Sequence, residues 1–168
     1  FKVRGQALGY GALFGKTLNQ NDQYDVSECY FDMFDVMIPS GVFQAIDTHR
    51  IKDWDKVSDL TKTGMLTPGS TVGQGDAPVR QIWVDKDGKR TNGPSRYISG
   101  LPGWHNADSL GYNPDDTGRS IDSWAELFSS DFKGRVALLN VPQIGAMDAA
   151  MGMEALGLIK FGDKGNMT

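Results

Sequence analysis

Residues 123–157 read Ser-Trp-Ala-Glu-Leu-Phe-Ser-Ser-Asp-Phe-Lys-Gly-Arg-Val-Ala-Leu-Leu-Asn-Val-Pro-Gln-Ile-Gly-Ala-Met-Asp-Ala-Ala-Met-Gly-Met-Glu-Ala-Leu-Gly. They spell a helix, a strand, a loop and a second helix. Ser123 and Glu126 have the spacing of a capping box, which predicts a helix starting at Trp124. Trp124, Leu127 and Phe128 fall at i, i+3, i+4 and form one apolar stripe. Lys133 and Gly134 turn the chain. Val-Ala-Leu-Leu at 136–139 is a continuous apolar run, as expected of a strand covered on both faces. Residues 140–144 then form a loop off the carboxyl end of that strand. Residues 145–156 predict the second helix, with Gly157 as its C-terminal glycine. Open α/β sheets bind ligands at the carboxyl ends of their strands, so the 140–144 loop is a candidate ligand wall.

The composition narrows the function. The chain has 168 residues, 39% of them hydrophobic and 10% aromatic, which suffices for a core. The net charge is −4. Phosphate-backbone binding requires clustered Lys and Arg, so nucleic acid is excluded as an expected partner. No run approaches the roughly 18 apolar residues of a membrane helix, and no signal peptide is visible. A single cysteine, Cys29, excludes an internal disulfide.

From the start, Phe1-Lys2-Val3-Arg4 alternates like a strand, Gly5 to Gly11 is glycine-rich, and residues 12–18 are helix-like. Together they resemble the strand–loop–helix phosphate site of short-chain dehydrogenases, in which glycines let the backbone approach a pyrophosphate. This supports an alternative reading as a nicotinamide-dependent oxidoreductase. That family's Tyr-x-x-x-Lys pair is missing, however, and Val26 is followed by Ser27 where a ribose-binding acid is needed. A glycine-rich connection into a helix is the plainer reading. Tyr24-Asp25-Val26 predicts a second strand, and residues 32–38 a helix with Phe34, Met37 and Ile38 on one face, stopped by Pro39-Ser40-Gly41. Cys29 has no His nearby in sequence and reads as a small apolar group rather than a nucleophile. Asp85-Lys86-Asp87-Gly88 lies between two strand-like runs. Asp-Gly there is a hairpin signal, and the further acids of a calcium loop are absent. Residues 113–119, Asn-Pro-Asp-Asp-Thr-Gly-Arg, are a turn-rich crossing and the expected domain boundary.

Ser-Trp-Ala-Glu-Leu-Phe, Phe-Lys-Gly-Arg-Val-Ala-Leu-Leu and the helix ending Ala-Leu-Gly resemble the solute-binding proteins of ABC importers, in particular the spermidine/putrescine-binding family. Residues 100–113, with Pro102, Trp104 and the Gly111-Tyr112-Asn113 strand end, carry the second resemblance. The resemblance implies an α/β, two-lobed, type 2 periplasmic-binding-protein fold, here incomplete. Residues 1–118 would form part of lobe one and residues 119–168 the first part of lobe two, a fragment about half the family length. It implies a protein that holds a small solute between its lobes and delivers it to a membrane permease. No chemistry, cofactor or metal is expected, and the expected location is periplasmic or extracellular. The implied ligand wall comprises Ser27, Glu28 and Tyr30 on the first lobe, Trp104, His105 and Asn106 on a second loop, and Gln143 on the opposite lobe. The family usually has Pro-Ser where this chain has Cys29-Tyr30, and mostly Gly where it has His105. Polyamine specificity therefore does not carry over. For His105, a backbone-bonded structural role and a ligand role remain equal readings.

Overall fold

The computed structural model describes residues 2–72, 77–105 and 108–162. The chain divides into two compact units, Phe1–Gly103 and Trp104–Thr168. The division falls after Gly103, ahead of the 113–119 crossing where the sequence places it. Each unit mixes short helices with extended segments, and the first holds a small antiparallel sheet.

In the first unit, helix α1 spans Tyr10–Asn19. A 3-10 turn over Phe31–Met33 runs into α2, Phe34–Met37. Here the apolar spacing holds: Phe34, Met37 and Ile38 are all buried, and Gly41 reverses the chain at φ +68. Strand β1 is Ile46–Asp47. Helices α3 (Asp59–Thr63) and α4 (Pro78–Gln81) precede β2, Trp83–Val84, and β3, Tyr97–Ile98. The sheet order is β1-β3-β2, antiparallel throughout. Ile98 pairs with both Ile46 and Trp83, and Tyr97 with both Asp47 and Val84.

The hairpin reading holds in detail. Val84 bridges Arg90, and the Asp85 amide donates to the Lys89 carbonyl at 2.7 Å. Asp85 Oδ1 accepts the amides of Asp87 and Lys89, both at 2.9 Å, so this carboxylate is used by its own turn. Gly88 supplies the left-handed residue at φ +80. Arg90 then reaches α2, donating to Asp35 Oδ1 at 2.8 Å and to the Phe34 carbonyl at 3.3 Å. Two apolar clusters fill the interior. Phe34, Ile38 and Val84 pack with Phe43 and Tyr97, and Ile82, Trp83 and Ile98 pack with Ile51 and Trp54. The Trp83 indole donates to the Lys62 carbonyl at 3.2 Å, so its polar edge is satisfied while its ring is buried.

Asp47 ties the sheet to its neighbour strand. Arg96 donates from Nε to Asp47 Oδ1 at 3.0 Å and from Nη2 to Oδ2 at 2.6 Å. This pairing holds the Asp47 carboxyl below its ordinary 3.8, at about 2. A depressed carboxyl contributes stability that is present above its unfolded value and is lost as pH falls through the folded one. Stability of the first unit is therefore expected to fall between pH 3.8 and about 2. Arg96→Gln removes that acid limb, which urea midpoints measured across the range will show. An identical acid limb in the variant would mean the pair does not form.

The second unit begins with Trp104. Helix α5, Pro114–Thr117, is capped by Asn113, whose side chain accepts the Asp115 amide at 3.1 Å. A 3-10 helix covers Trp124–Phe128, and α6 covers Pro142–Ala155. Ser123 Oγ accepts the Ala125 amide at 3.2 Å, so the start at Trp124 is as read. The other half of the capping box does not close. Glu126 is taken by Arg119, which donates to both of its oxygens at 2.6 Å. Helix α6 ends as expected, with Gly157 left-handed at φ +72. It starts earlier, at Pro142, because proline's fixed φ and missing amide suit the first helical position.

Three expected strands do not form. Val3 and Val26 are 86% and 87% exposed, and neither lies in a strand. Phe1 lies outside the described residues. Residues 136–139 also lie outside any sheet, with Val136, Leu138 and Leu139 exposed. The physical reason is common to all three. A period-2 or apolar run becomes a strand only where neighbours accept its backbone groups. Among the described residues, the only partners on offer are those of the β1-β3-β2 sheet. Tyr24 instead turns its hydroxyl to the Thr17 carbonyl of α1 at 3.4 Å. Residues 136–139 lead into the first turn of α6, where the Leu139 carbonyl crosses close to Gly145.

Candidate functional site

The Ser27–Tyr30 loop is built against α1. Ser27 Oγ lies 3.2 Å from Cys29 Sγ and 3.3 Å from Thr17 Oγ1. Cys29 is half-buried and packs on the Phe34–Ile38–Val84 cluster, in keeping with a small apolar role. Tyr30 is 47% exposed and rests on Tyr10, with ring centroids 5.4 Å apart. Tyr10 in turn donates to Asp32 Oδ2 at 2.5 Å, which fixes the lower ring. Glu28 is exposed beside them. Ser27, Glu28 and Tyr30 thus share one loop of the first unit. The glycine-rich loop at 5–11 leads into α1, but no strand precedes it among the described residues. The phosphate-site pattern therefore lacks the strand that defines it.

In the second unit Trp104 is 65% exposed, with His105 exposed next to it. Asn106 lies outside the described residues. Gln143 is not in a loop but is the second residue of α6, with its side chain exposed. The expected 140–144 loop shrinks because Pro142 starts the helix. Trp104 and His105 are adjacent, and Gln143 stands on a separate element.

The second unit also contains a cavity of about 620 Å³. Leu110, Trp124, Leu127 and Phe132 supply apolar wall, and Tyr112, Arg135 and Asp148 supply polar groups. Trp104, His105 and Gln143 do not line it. Tyr112 and Ser120 hydroxyls meet at 3.3 Å, and that bond draws the phenol below its ordinary 10.0. Arg135 donates from Nη2 to the Asp131 carbonyl at 2.7 Å and lies over the Phe132 ring. Asp148, in the middle of α6, is 8% exposed, and its Oδ1 has no hydrogen-bond partner. Burial first, then the charge of Asp108, pushes its carboxyl above the ordinary value of 3.8. Sequence reading passed over Asp148 because it stands within a helix. The signal was present: it is the only acid between Asp131 and Glu154, set among Ala, Met and Gly.

Among the described residues, no group of three or more His, Cys, Asp or Glu is placed to hold a metal ion. No described helix is long and apolar enough to cross a membrane. No family model, curated protein or solved structure matches the sequence.

Proposed function

We propose that the protein binds a small organic solute reversibly and hands it on unchanged to an ABC-type permease, outside the cytoplasmic membrane. The observation that carries this reading is the cavity of the second unit. Its volume, about 620 Å³, falls within the roughly 300–1,000 Å³ of small-molecule sites. Its aromatic and aliphatic residues offer contact area, and the polar residues among them can orient a solute. The type 2 periplasmic-binding fold is part of the proposal and rests on the resemblance of residues 100–113 and 123–157. Tyr30 in the first unit and Trp104 in the second are each solvent-facing aromatic rings.

Solute released by denaturing the purified protein, identified by mass spectrometry, supplies the ligand for calorimetric titration. Trp124→Ala is expected to lower both affinity and melting temperature, because Trp124 lines the cavity and packs under α6. Trp104→Ala, outside the cavity lining, is expected to leave the affinity unchanged. Unchanged affinity in Trp124→Ala would remove the cavity as the site.

A further inference from the structure

We infer that the cavity of the second unit takes a short extended peptide, seated against residues 136–139 as an added β-strand, with apolar side chains and a basic residue at one end. The inference rests on that cavity being the solute site and names the chemical class of the solute.

Residues 136–139 combine two features. Val136, Leu138 and Leu139 are exposed in one unbroken apolar run that borders the cavity. The main chain of the same four residues makes no backbone hydrogen bond among the described residues. The free stretch is bounded on both sides. The Arg135 amide donates to the Phe132 carbonyl at 2.8 Å, and the Val141 carbonyl accepts the Gly145 amide at 2.9 Å. Residues 108–112 border the same cavity, and their main chain is likewise without a backbone partner among the described residues. Apolar side chains beside a row of unpaired amides and carbonyls are the surface on which another strand adds.

A peptide is the solute that answers a backbone. Each of its residues carries one donor and one acceptor, repeating at the roughly 3.3 Å that a strand presents. A solute with one polar group answers only one such position. Four residues of ladder extend about 13 Å, which suits a peptide of roughly four residues. Leu110, Trp124 and Leu127 in the cavity wall favour apolar side chains on it. The charge of the wall sets its direction. Asp108 and Asp116 border the cavity and are exposed. The salt bridges among the described residues of this unit take Arg119 to Glu126 and Asp131, leaving both of those acids without a cation. Against them the cavity wall sets Arg135 alone, which donates to the Asp131 carbonyl. A basic residue near Asp108 and Asp116 is therefore favoured. These charges are exposed, so they orient the peptide more than they tighten it.

The probe is acetyl-Lys-Val-Thr-Val-amide, titrated into the full chain at pH 7 by calorimetry and protein-observed NMR. It is expected to protect alternate amides within residues 136–139 from hydrogen exchange, the pattern of a strand paired on one edge. Two N-methylated forms of the probe, each lacking alternate amide donors, keep the side chains and remove the ladder. At least one of them is expected to bind about tenfold more weakly, equivalent to about 1.4 kcal/mol. The same peptide with Glu in place of Lys is expected to lose about twofold to fivefold, the scale of exposed charge pairs. Asp108→Asn combined with Asp116→Asn should remove that difference. Leu138→Asp, placing a charge on the edge, should abolish the amide protection, and NMR of the unliganded variant checks its fold. Unweakened binding of both methylated forms overturns the added strand while leaving the cavity as a solute site. Equal binding of the Glu peptide overturns the basic preference. Self-association of the unliganded chain that Leu138→Asp abolishes gives the edge to a second copy and overturns the inference. Failure of the probe to bind, while the solute released from the protein still binds and is weakened by Trp124→Ala, overturns the peptide and spares the solute site. Failure of the probe together with an unaffected Trp124→Ala overturns the inference and the cavity on which it rests.

Discussion

Gly152→Val is expected to destabilise the second unit by roughly 1–3 kcal/mol, the range for overpacking a closed contact. A Cβ at Gly152 would lie 2.5 Å from Phe128 Cε2 and 2.9 Å from the Trp124 carbonyl oxygen. The half-exposed Phe128 ring can swing aside, but the Trp124 carbonyl belongs to the backbone of the facing 3-10 helix. Either α6 moves outward or that helix does. Helix propensity works the other way, since replacing an interior glycine by alanine gains up to about 1 kcal/mol. Gly15, inside α1, has nothing within 4 Å of its would-be Cβ. Gly15→Ala should therefore stabilise by roughly 0.5–1 kcal/mol. Urea unfolding of both variants, followed by tryptophan fluorescence, separates the cases. If Gly152→Val melts with or above the parent protein, α6 does not pack on residues 124–128 as described.

Ile98→Ala is the second large effect. Ile98 is fully buried on β3 and faces a partner on each side, Ile46 and Trp83. Truncating such a side chain costs about 2–5 kcal/mol through lost burial and the cavity left behind. The informative comparison is Val26→Asp. Val26 is 87% exposed, and a surface substitution should change stability by no more than about 0.5 kcal/mol. Were Val26 a strand residue under covering helices, placing a charge there would cost far more. Equilibrium denaturation of the two variants thus tests the observed sheet directly. A large loss in Val26→Asp, with little in Ile98→Ala, would restore the strand that the sequence suggests at 24–26.

The comparison shows which signals are local and which are not. Helices α2 and α6 were legible because the i, i+3, i+4 spacing and Gly41 of the one, and Gly157 of the other, are signals read within a few residues. The Asp85–Lys89 hairpin was legible for the same reason, since its turn chemistry is contained in the turn. The sheet itself was not. β3 joins Ile46 to Ile98 and Trp83 to Ile98, and nothing in the short Arg-Tyr-Ile-Ser run names those partners. Residues 136–139 show the converse. Their apolar content is that of a buried strand, but the described part of the second unit brings no neighbouring strand to them. The described ligand residues suggested by resemblance fall on two loops and on α6. The cavity depends on residues 108 to 148 converging, and a buried acid such as Asp148 gains meaning only once its surroundings are known.

The order β1-β3-β2 has a topological outcome. The connection between α3 and α4 carries Leu66, which is 81% exposed. A backbone break there would separate β1 from both of its sheet mates in sequence. The break would leave the Ile46–Ile98 and Asp47–Tyr97 pairings, the Arg96–Asp47 clasp and the Trp83–Lys62 bond as contacts between two polypeptides. The first unit is, in effect, a pre-formed heterodimer written on one strand of code. Its halves on either side of Leu66 are natural pieces for fragment complementation, each carrying a face that the other completes.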